Sequence, residues 1–326
     1  MDHYRPIALG DGVLLAGGPL RFARAEVLAR GRAPRTVAAK DIPEPVLARL
    51  TRPRPALPGV PAGRTGVMGI LNVTPDSFSD GGRHAAAPAA AARAMAAAGA
   101  DIIDVGAEST RPGAAAVDTE TEAARLATVL PGLAGLTWSI DTRKAAIMGR
   151  ALDAGAALVN DVSALGHDPA APALVAARGC PVVLMHAQGT PETMQAAPAY
   201  DDALLDVYDW LAMRIDACVA AGIDRSRIIA DPGIGFGKTL EHNLAVLRGL
   251  TLFHGLGVPL LLGASRKALI GRMAGNAPPD ARLPGSLALA LHGAACGVQM
   301  VRVHDVAETV QALAVWRSAT LADALG

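Results

Sequence analysis

The chain has 326 residues, of which 51% are hydrophobic and 18% charged, so it has enough apolar material for a large core and too little charge for a disordered chain. Lysine plus arginine equals aspartate plus glutamate at 30 each, which leaves no global basic field to attract nucleic acid. No apolar run approaches the roughly 18 residues of a membrane span. The three cysteines are far apart in the sequence, which favours a reducing, cytoplasmic location over a disulfide framework or a zinc site.

The first part of the chain is predicted to be an extension. Residues 1–50 are expected to form short elements, and residues 51–63 are rich in proline, which cannot sustain a helix or an inner strand. We therefore divide the chain into an N-terminal extension with a proline-rich linker, residues 1–63, and a second domain, residues 64–326. The extension could cover the second domain, mediate assembly or be passive, and the sequence leaves these alternatives open.

From residue 66 onward, short β-branched or aliphatic runs alternate with alanine-rich stretches of helical composition. Such alternation favours parallel strands with right-handed crossovers, and eight units suit a closed (β/α)8 TIM barrel better than an open doubly wound sheet. The predicted strands are 67–71, 102–105, 137–140, 157–159, 181–185, 227–230, 259–262 and 300–303, and the predicted helices include 88–98, 120–130, 144–154, 201–221 and 283–296.

Polar residues follow every one of these predicted strands. In a TIM barrel the carboxyl ends of all strands surround one mouth, where active sites lie. Loops are polar in any case, so a single position carries little weight, but recurrence after all eight strands favours a converging site. The residues include Asn72, Glu108, Asp141, Asn160, His186, Asp231, Lys267 and His304.

The segment D-P-G-I-G-F-G-K-T at 231–239 invites comparison with a phosphate-binding loop. A Walker A loop would need glycine where Pro232 stands, and the dinucleotide-binding glycine pattern fails because Lys238 occupies its last position. The sequence therefore does not predict a nucleotide-hydrolysing P-loop.

Two segments, M-G-I-L-N-V-T-P-D-S-F-S-D-G-G (68–82) and D-V-G-A-E-S-T-R-P-G (104–113), closely resemble the signature segments of dihydropteroate synthases. S-I-D-T-R-K, N-D-V-S-A, L-M-H-A-Q-G, D-P-G-I-G-F-G-K-T, S-R-K-A-L-I-G and R-V-H-D-V resemble later segments of that family in the same order, so the match spans about residues 66–320. The resemblance implies a homodimeric TIM-barrel transferase of folate biosynthesis, a family that sulfonamides target. Such an enzyme joins 6-hydroxymethyl-7,8-dihydropterin pyrophosphate to 4-aminobenzoate and releases pyrophosphate.

The resemblance also implies a pterin site. The carboxylate of Asp231 would accept hydrogen bonds from the pterin amide and amino groups, and Lys267, a pure donor, would reach the ring carbonyl. Asp141 and Lys267 are also the expected catalytic residues. An alternative in which Asp141 and Asp231 merely form salt bridges with Arg143 and Lys238 stays open. The expected pterin-binding residues are Asp141, Asn160, Met185, Asp231, Phe236, Lys267 and Arg302.

The resemblance places pyrophosphate near Thr110, Arg111, Arg302 and His304, and 4-aminobenzoate near Phe78, Pro112, Phe236 and Lys267. The arginine fork suits phosphate oxygens. His304 alone could be an ordinary surface histidine, but its place two residues after Arg302 favours the functional interpretation. Asn72 resembles the family's magnesium ligand, and Mg²⁺ commonly keeps waters and borrows phosphate oxygens from substrate.

Two other functions are compatible with a pterin-binding barrel. A pterin-dependent methyltransferase is disfavoured by the segments 72–78 and 109–113, which suit pyrophosphate and benzoate. A non-catalytic paralogue is disfavoured because every matched polar position is intact. The chain departs from many family members at Ala268, where serine is common, and at Ala187, where methionine is frequent.

Overall fold

The computed structural model of the chain describes residues 1–73, 87–108, 117–189, 194 and 197–321. An antiparallel sheet of order β1-β2-β3 comes first, and an eight-stranded sheet follows it. The strands are β1 (His3–Leu14), β2 (Arg21–Ala29), β3 (Arg32–Ala38), β4 (Gly66–Asn72), β5 (Ile102–Gly106), β6 (Trp138–Asp141), β7 (Leu158–Asp161), β8 (Val182–Met185), β9 (Ile228–Asp231), β10 (Leu261–Leu262) and β11 (Met300–Val303).

Helices follow the barrel strands, as the alternating pattern predicts. The described helices are α1 (Glu44–Thr51), α2 (Ala87–Ala97), α3 (Thr119–Leu133), α4 (Ala145–Asp153), α5 (Ala171–Arg178), α6 (Ala203–Ala220), α7 (Leu240–Arg248), α8 (Ala268–Met273), α9 (Leu283–Ala295) and α10 (Val306–Thr320). Short polar side chains cap the amino-terminal ends of several helices. Asp118 and Asp202, for example, accept hydrogen bonds from first-turn amides of α3 and α6. None of the described helices is both long and apolar enough to cross a membrane.

The eight-stranded sheet closes on itself. Its order is β10-β11-β4-β5-β6-β7-β8-β9, with parallel pairing throughout. A parallel bridge between Ala230 and Leu260 joins the two end strands, and the Ala230 amide donates to the Pro259 carbonyl at 2.9 Å. The predicted (β/α)8 TIM barrel and its eight strands are confirmed.

The barrel interior is layered because alternate residues of each strand point inward. At the amino-terminal end the layer is apolar and is formed by Met68, Ile102, Leu158, Val183, Ile229, Leu261 and Met300. Two residues further along, four of these strands carry Asp104, Asn160, Asp231 and Arg302. Outside the strands, a larger apolar cluster fills the space beneath the helices. The apolar layer therefore supports a polar layer that faces the carboxyl mouth.

The antiparallel sheet has its own small apolar cluster, which includes Phe22 and Leu50. It is fixed to the side of the barrel by polar contacts: His3 bonds the Asp209 carboxylate at 2.7 Å, and the Thr251 hydroxyl donates to the Pro6 carbonyl at 2.7 Å. Residues 52–65 contain no helix or strand and run beneath the barrel, where Leu57 and Val60 pack against its apolar layer.

Candidate active site

Arg302 lies at the centre of the polar layer, at the end of β11. Its Nε donates to Asp104 Oδ2 at 2.6 Å and its Nη2 donates to Asp141 Oδ2 at 2.7 Å. The guanidinium has five N–H donors in all, so further donors are available to a ligand. One cation thus joins side chains from β5, β6 and β11 in a single cluster.

Asp104 accepts hydrogen bonds from several members of this cluster. It is fully buried, and besides Arg302 it accepts hydrogen bonds from Asn160 Nδ2 at 2.9 Å and from Ser139 Oγ at 2.6 Å. The strand register explains why Asp104 and Ser139 lie side by side, since they are partners in the pairing of β5 with β6. Asp104 therefore fixes the orientation of two expected pterin-binding residues, Asn160 and Arg302.

Asp141 is the buried carboxylate nearest the mouth in this cluster. One oxygen, Oδ2, accepts from Arg302, whereas Oδ1 is out of solvent and has no hydrogen-bond partner among the described residues. Burial, opposed by the attraction of Arg302 and reinforced by repulsion from Asp104, raises the pKa of Asp141 to about 7. An unpartnered buried oxygen costs free energy, so this atom is suited to accept a donor from a ligand.

Asp231 lies on the other side of Arg302, at the end of β9. Its Oδ1 accepts from the Gly233 amide at 2.7 Å, and burial raises its pKa. A Cβ built on Gly263 would lie 3.6 Å from Asp231 Oδ2 and 3.9 Å from Arg302 Cβ, so glycine at 263 leaves the space between these two groups open. The carboxylate therefore belongs to the same pocket as Asp141.

Lys267 and Phe236 face each other beside Asp231. The Lys267 ammonium lies 4.0 Å from the Phe236 ring centroid and donates to the Ile234 carbonyl at 2.7 Å. Burial lowers the pKa of Lys267 to about 7, although Asp231 acts in the opposite direction. Met185 lies close by, with its Cγ 3.3 Å from the point where a Cβ on Gly233 would stand. Lys267, Phe236 and Met185 therefore lie close together at the mouth, where the sequence predicts them.

The loop after β9 is built around Lys238, which is buried and donates to the carbonyls of Gly233 at 2.8 Å and Phe236 at 3.1 Å. Its Nζ also lies 2.8 Å from Nδ1 of His186. Burial lowers the pKa of Lys238 to about 7 and that of His186 to about 2, so the imidazole is neutral and can accept. Lys238 thus stabilises its own loop through these hydrogen bonds and does not take the place of a phosphate-binding lysine. This agrees with the mismatch between the sequence and a P-loop.

The sequence left open that Asp141 and Asp231 form salt bridges with Arg143 and Lys238. Among the described residues the ion pairs are different. Arg143 pairs with Glu108 at 3.1 Å, and Asp141 pairs with Arg302. Glu108 also accepts from Lys144 at 3.0 Å and from the Val117 amide at 3.0 Å. Since residues 109–116 lie between Glu108 and Val117, this carboxylate ties together the two ends of the second loop of the mouth.

The remaining expected residues divide into two groups. His304 is at the mouth, where its Nδ1 lies 3.1 Å from the Ser265 hydroxyl. Asn72 ends β4, and a Cβ on Gly106 would lie 3.8 Å from Asn72 Oδ1 and 3.7 Å from Asp141 Oδ2. The other group, Phe78, Thr110, Arg111 and Pro112, lies outside the described residues.

Asp104 and Ser139 take part in this architecture although no sequence pattern pointed to them, and Glu108 was expected at the mouth but without a binding or catalytic role. Asp104 and Ser139 lie inside strands, not after them, so a search restricted to strand ends misses them. The signal that could have found Asp104 is its spacing, because a carboxylate two residues after Ile102 must point into the same barrel interior.

Comparison with known proteins agrees with this geometry. Residues 68–304 match the family model of pterin binding enzymes. Dihydropteroate synthase of Escherichia coli (strain K12) is 48% identical over 254 residues, which cover 76% of this chain and 89% of the relative. Two solved dihydropteroate synthases of Xanthomonas albilineans are similar in structure. The structure with 4-aminobenzoic acid has a TM-score of 0.74 and 47% sequence identity, and the match covers 78% of this chain and 93% of that chain. The complex with 7,8-dihydropteroate has a TM-score of 0.71 and 44% identity, and the match covers 78% of this chain and 94% of that chain.

A TIM barrel whose mouth gathers these residues and whose sequence matches that family model is a pterin-binding enzyme. The chain belongs to the dihydropteroate synthase family within that class, and it is a transferase of folate biosynthesis.

Proposed function

We propose that the mouth of the barrel condenses 6-hydroxymethyl-7,8-dihydropterin pyrophosphate with 4-aminobenzoate to give 7,8-dihydropteroate and pyrophosphate. The observation that carries the assignment of residues is the buried Asp141, whose Oδ1 has no partner in the part of the chain that the structure describes, while Oδ2 accepts from Arg302. A donor on the ligand would remove the cost of that unpartnered oxygen. A dihydropterin ring, with its several N–H groups, supplies such a donor.

The pterin would lie among Asp141, Asn160, Asp231 and Lys267, with Met185 and Phe236 against its faces. Asp231 would accept from the ring amide and the exocyclic amino group in bidentate fashion. Lys267 would donate to the ring carbonyl, for which it would give up its hydrogen bond to the Ile234 carbonyl. Asn160, held by Asp104, offers both a donor and an acceptor to a heterocycle whose ring nitrogens alternate in character.

In the proposed reaction the bond between the pterin methylene carbon and the pyrophosphate oxygen breaks first, and the electron pair leaves with pyrophosphate. The amine nitrogen of 4-aminobenzoate then forms the new bond to the methylene carbon and loses a proton. Charge separation is the barrier, so the carboxylate of Asp141 would stabilise the cation while Arg302 and His304 would stabilise the departing anion. A neutral arylamine is already nucleophilic, so no strong general base is needed.

We further propose that Mg²⁺ assists this reaction and that Asn72 holds it. The oxygen donors suit a hard cation, because the Asn72 carbonyl oxygen and an Asp141 carboxylate oxygen both lie within 4 Å of the point where a Cβ on Gly106 would stand. Among the described residues there is no group of three or more acidic, histidine or cysteine side chains for a metal, which suits an ion held by few protein ligands and by substrate phosphates. When bound, Mg²⁺ would neutralise charge on pyrophosphate.

A pyrophosphate-release assay with both substrates and Mg²⁺ tests the proposed function. Release that depends on 4-aminobenzoate supports it. Methyl transfer from a folate instead would identify a methyltransferase, and pterin binding without turnover would identify a non-catalytic binder. Asp231→Asn should lose about 2 to 5 kcal/mol of pterin binding in calorimetry, since a buried charged partner is removed. Unchanged pterin affinity would overturn the role of Asp231.

We propose that 4-aminobenzoate binds after pyrophosphate or the pterin substrate, because the expected benzoate residues Phe78 and Pro112 belong to the same segments as the pyrophosphate residue Thr110 and the metal ligand Asn72. Calorimetry of 4-aminobenzoate with and without pyrophosphate distinguishes the two orders. Tight binding to the enzyme alone would contradict ordered binding.

The family resemblance also supports a homodimer in the cytoplasm. Light scattering on the purified chain should then give about twice the 33.1 kDa of one chain. The thiols of Cys180, Cys218 and Cys296 are free, as expected in a reducing compartment. A monomeric mass at micromolar concentration would contradict the dimer.

A further inference from the structure

A cavity of about 530 Å³ lies at the end of the barrel opposite the candidate active site. Val67 and Val298, near the amino-terminal ends of β4 and β11, belong to its wall, whereas Arg302 and Asp231 lie at the carboxyl ends of their strands. The volume falls within the range of about 300 to 1,000 Å³ that is usual for small-molecule sites. The cavity is therefore separate from the mouth of the barrel and large enough for a ligand.

Several parts of the chain enclose this cavity. The segment between β1 and β2 contributes Leu20, the proline-rich segment contributes Leu57 and Val60, and α10 contributes Val310 and Trp316. Most of the lining is therefore aliphatic or aromatic. An apolar ligand would bury this surface, which is the main source of binding free energy for such sites.

The charges around the cavity have one sign. The described lining residues include Arg54, Arg64 and Arg317 but no aspartate or glutamate. Arg64 is neutralised by Asp101, to which its Nη1 donates at 2.9 Å. The cavity is thus complementary to an anion.

Arg54, unlike Arg64, has neutral hydrogen-bond partners among the described residues. Its guanidinium donates to two backbone carbonyls, those of Arg52 at 3.1 Å and His254 at 2.8 Å, and its Nε is out of solvent with no hydrogen-bond partner in the described part of the chain. Burial, together with repulsion from Arg52, lowers the pKa of Arg54 to about 10. Among the described residues this half-buried guanidinium donates only to neutral carbonyls, and a buried charge without an ionic partner is destabilised.

We propose that this cavity binds an amphipathic carboxylate, with its apolar chain between the proline-rich segment and α10 and its carboxylate on Arg54. The neutral carbonyl contacts hold the guanidinium in place, and a carboxylate adds the charge-assisted bonds that they cannot supply. The site gives residues 1–63 a role in ligand binding, because Leu20, Arg54 and Leu57 all come from that part of the chain.

The test is calorimetric titration of the full chain with decanoate, and with decanol as the uncharged analogue, both below their aggregation limits. We expect one saturable decanoate site and about tenfold weaker decanol binding, corresponding to one charge-assisted contact. Arg54→Met should weaken decanoate about tenfold and leave decanol unchanged. The matched control is Arg52→Met, which removes an exposed arginine that does not line the cavity and should bind as the unmodified chain does.

A second variant, Ala314→Trp, fills the cavity from an exposed position on α10 and should abolish binding of both compounds. Retained pyrophosphate release and an unchanged unfolding midpoint would show that each variant is folded. The proposal is overturned if decanoate gives no saturable heat, if decanol binds equally well, or if Arg54→Met binds decanoate as tightly as the unmodified chain. Saturable binding that persists in a folded Ala314→Trp variant would place the site elsewhere and also overturn it.

Discussion

Arg302 donates to the Oδ2 atom of Asp141 at 2.7 Å, and this bond joins the last strand of the barrel to the third. The same guanidinium also bonds Asp104, so two buried carboxylates share one cation. Asp104 and Asp141 therefore depend on the same guanidinium for their charge balance. The first two predictions follow from this sharing.

Asp141 should make stability depend on pH. Burial raises the pKa of Asp141 from 3.8 to about 7, so between these values the folded chain holds a proton that the unfolded chain has released. The free energy of unfolding should accordingly fall as pH rises through this window, by about 1 to 3 kcal/mol from this group. Asp141→Asn should remove that part of the slope in urea unfolding measured between about pH 4 and pH 7.5. Asp153→Asn, at an exposed site, is the control, and equal slopes in both variants would contradict the prediction.

Asp104→Asn should be both destabilising and damaging to pterin binding. Asparagine keeps one accepting oxygen, and its amide nitrogen only donates, so it cannot replace both carboxylate oxygens that accept from Arg302, Asn160 and Ser139. We therefore expect a loss of about 2 to 4 kcal/mol in the free energy of unfolding. Ser139→Ala removes only one donor and should cost about 1 kcal/mol. Denaturant unfolding and pterin calorimetry measure both effects, and a pterin affinity equal in the two variants would show that Asp104 does not position the site.

Lys238→Met should disorder the loop that carries Phe236 without touching any atom assigned to the substrate. The variant loses the ammonium donor to the carbonyls of Gly233 and Phe236, and each buried carbonyl left unpaired costs about 1 to 3 kcal/mol. The unfolding midpoint should fall and KM for the pterin substrate should rise. Lys238→Arg, which retains donors, should recover part of both, and an unaltered KM in a destabilised Lys238→Met variant would limit the residue to stability.

Glu108→Gln should weaken the anchoring of the second loop of the mouth. Burial would raise the pKa of Glu108, but the Val117 amide and Lys144 outweigh it and lower the pKa, so the anion is what holds these partners. We expect kcat/KM to fall about tenfold with little change in binding of a pterin that lacks pyrophosphate.

The matched control for Glu108→Gln is Glu122→Gln. Glu122 is buried and bonds Lys144 and Thr142 at 2.6 Å each, whereas the Val117 amide donates to Glu108. If both substitutions lower kcat/KM equally, the effect belongs to the shared ion network and not to the loop ends.

Ala268→Ser should strengthen binding of 4-aminobenzoate. Ala268 is exposed and follows Lys267 directly as the first residue of α8, at the position where many family members carry serine. A hydroxyl there could donate to the benzoate carboxylate, a bond worth about 1 to 2 kcal/mol. KM for 4-aminobenzoate and inhibition by a sulfonamide should both shift toward tighter binding, with KM for the pterin substrate unchanged as the internal control. No change in either would show that the hydroxyl does not reach the ligand.

The sequence predicted the barrel because the signals involved are short-range. Strands buried on both faces appear as brief apolar runs, and the polar residue that ends each run, such as Asp231 after Ile228–Ala230, marks the mouth. The family resemblance then supplied roles for those residues. The antiparallel sheet formed by β1, β2 and β3 was not predicted, because its half-exposed strands alternate only weakly between buried and exposed residues.

By itself, then, the sequence placed the eight barrel strands to within two residues at each end and identified most of the polar residues at their carboxyl ends, since both depend on neighbours along the chain. Only the tertiary structure decided which charges pair. Arg302 is 198 positions from Asp104 and 161 from Asp141, and Arg143 binds Glu108 and not Asp141. Pairing of buried charges is settled by barrel closure, which brings distant strands within hydrogen-bond distance and removes the water that would otherwise solvate each charge separately.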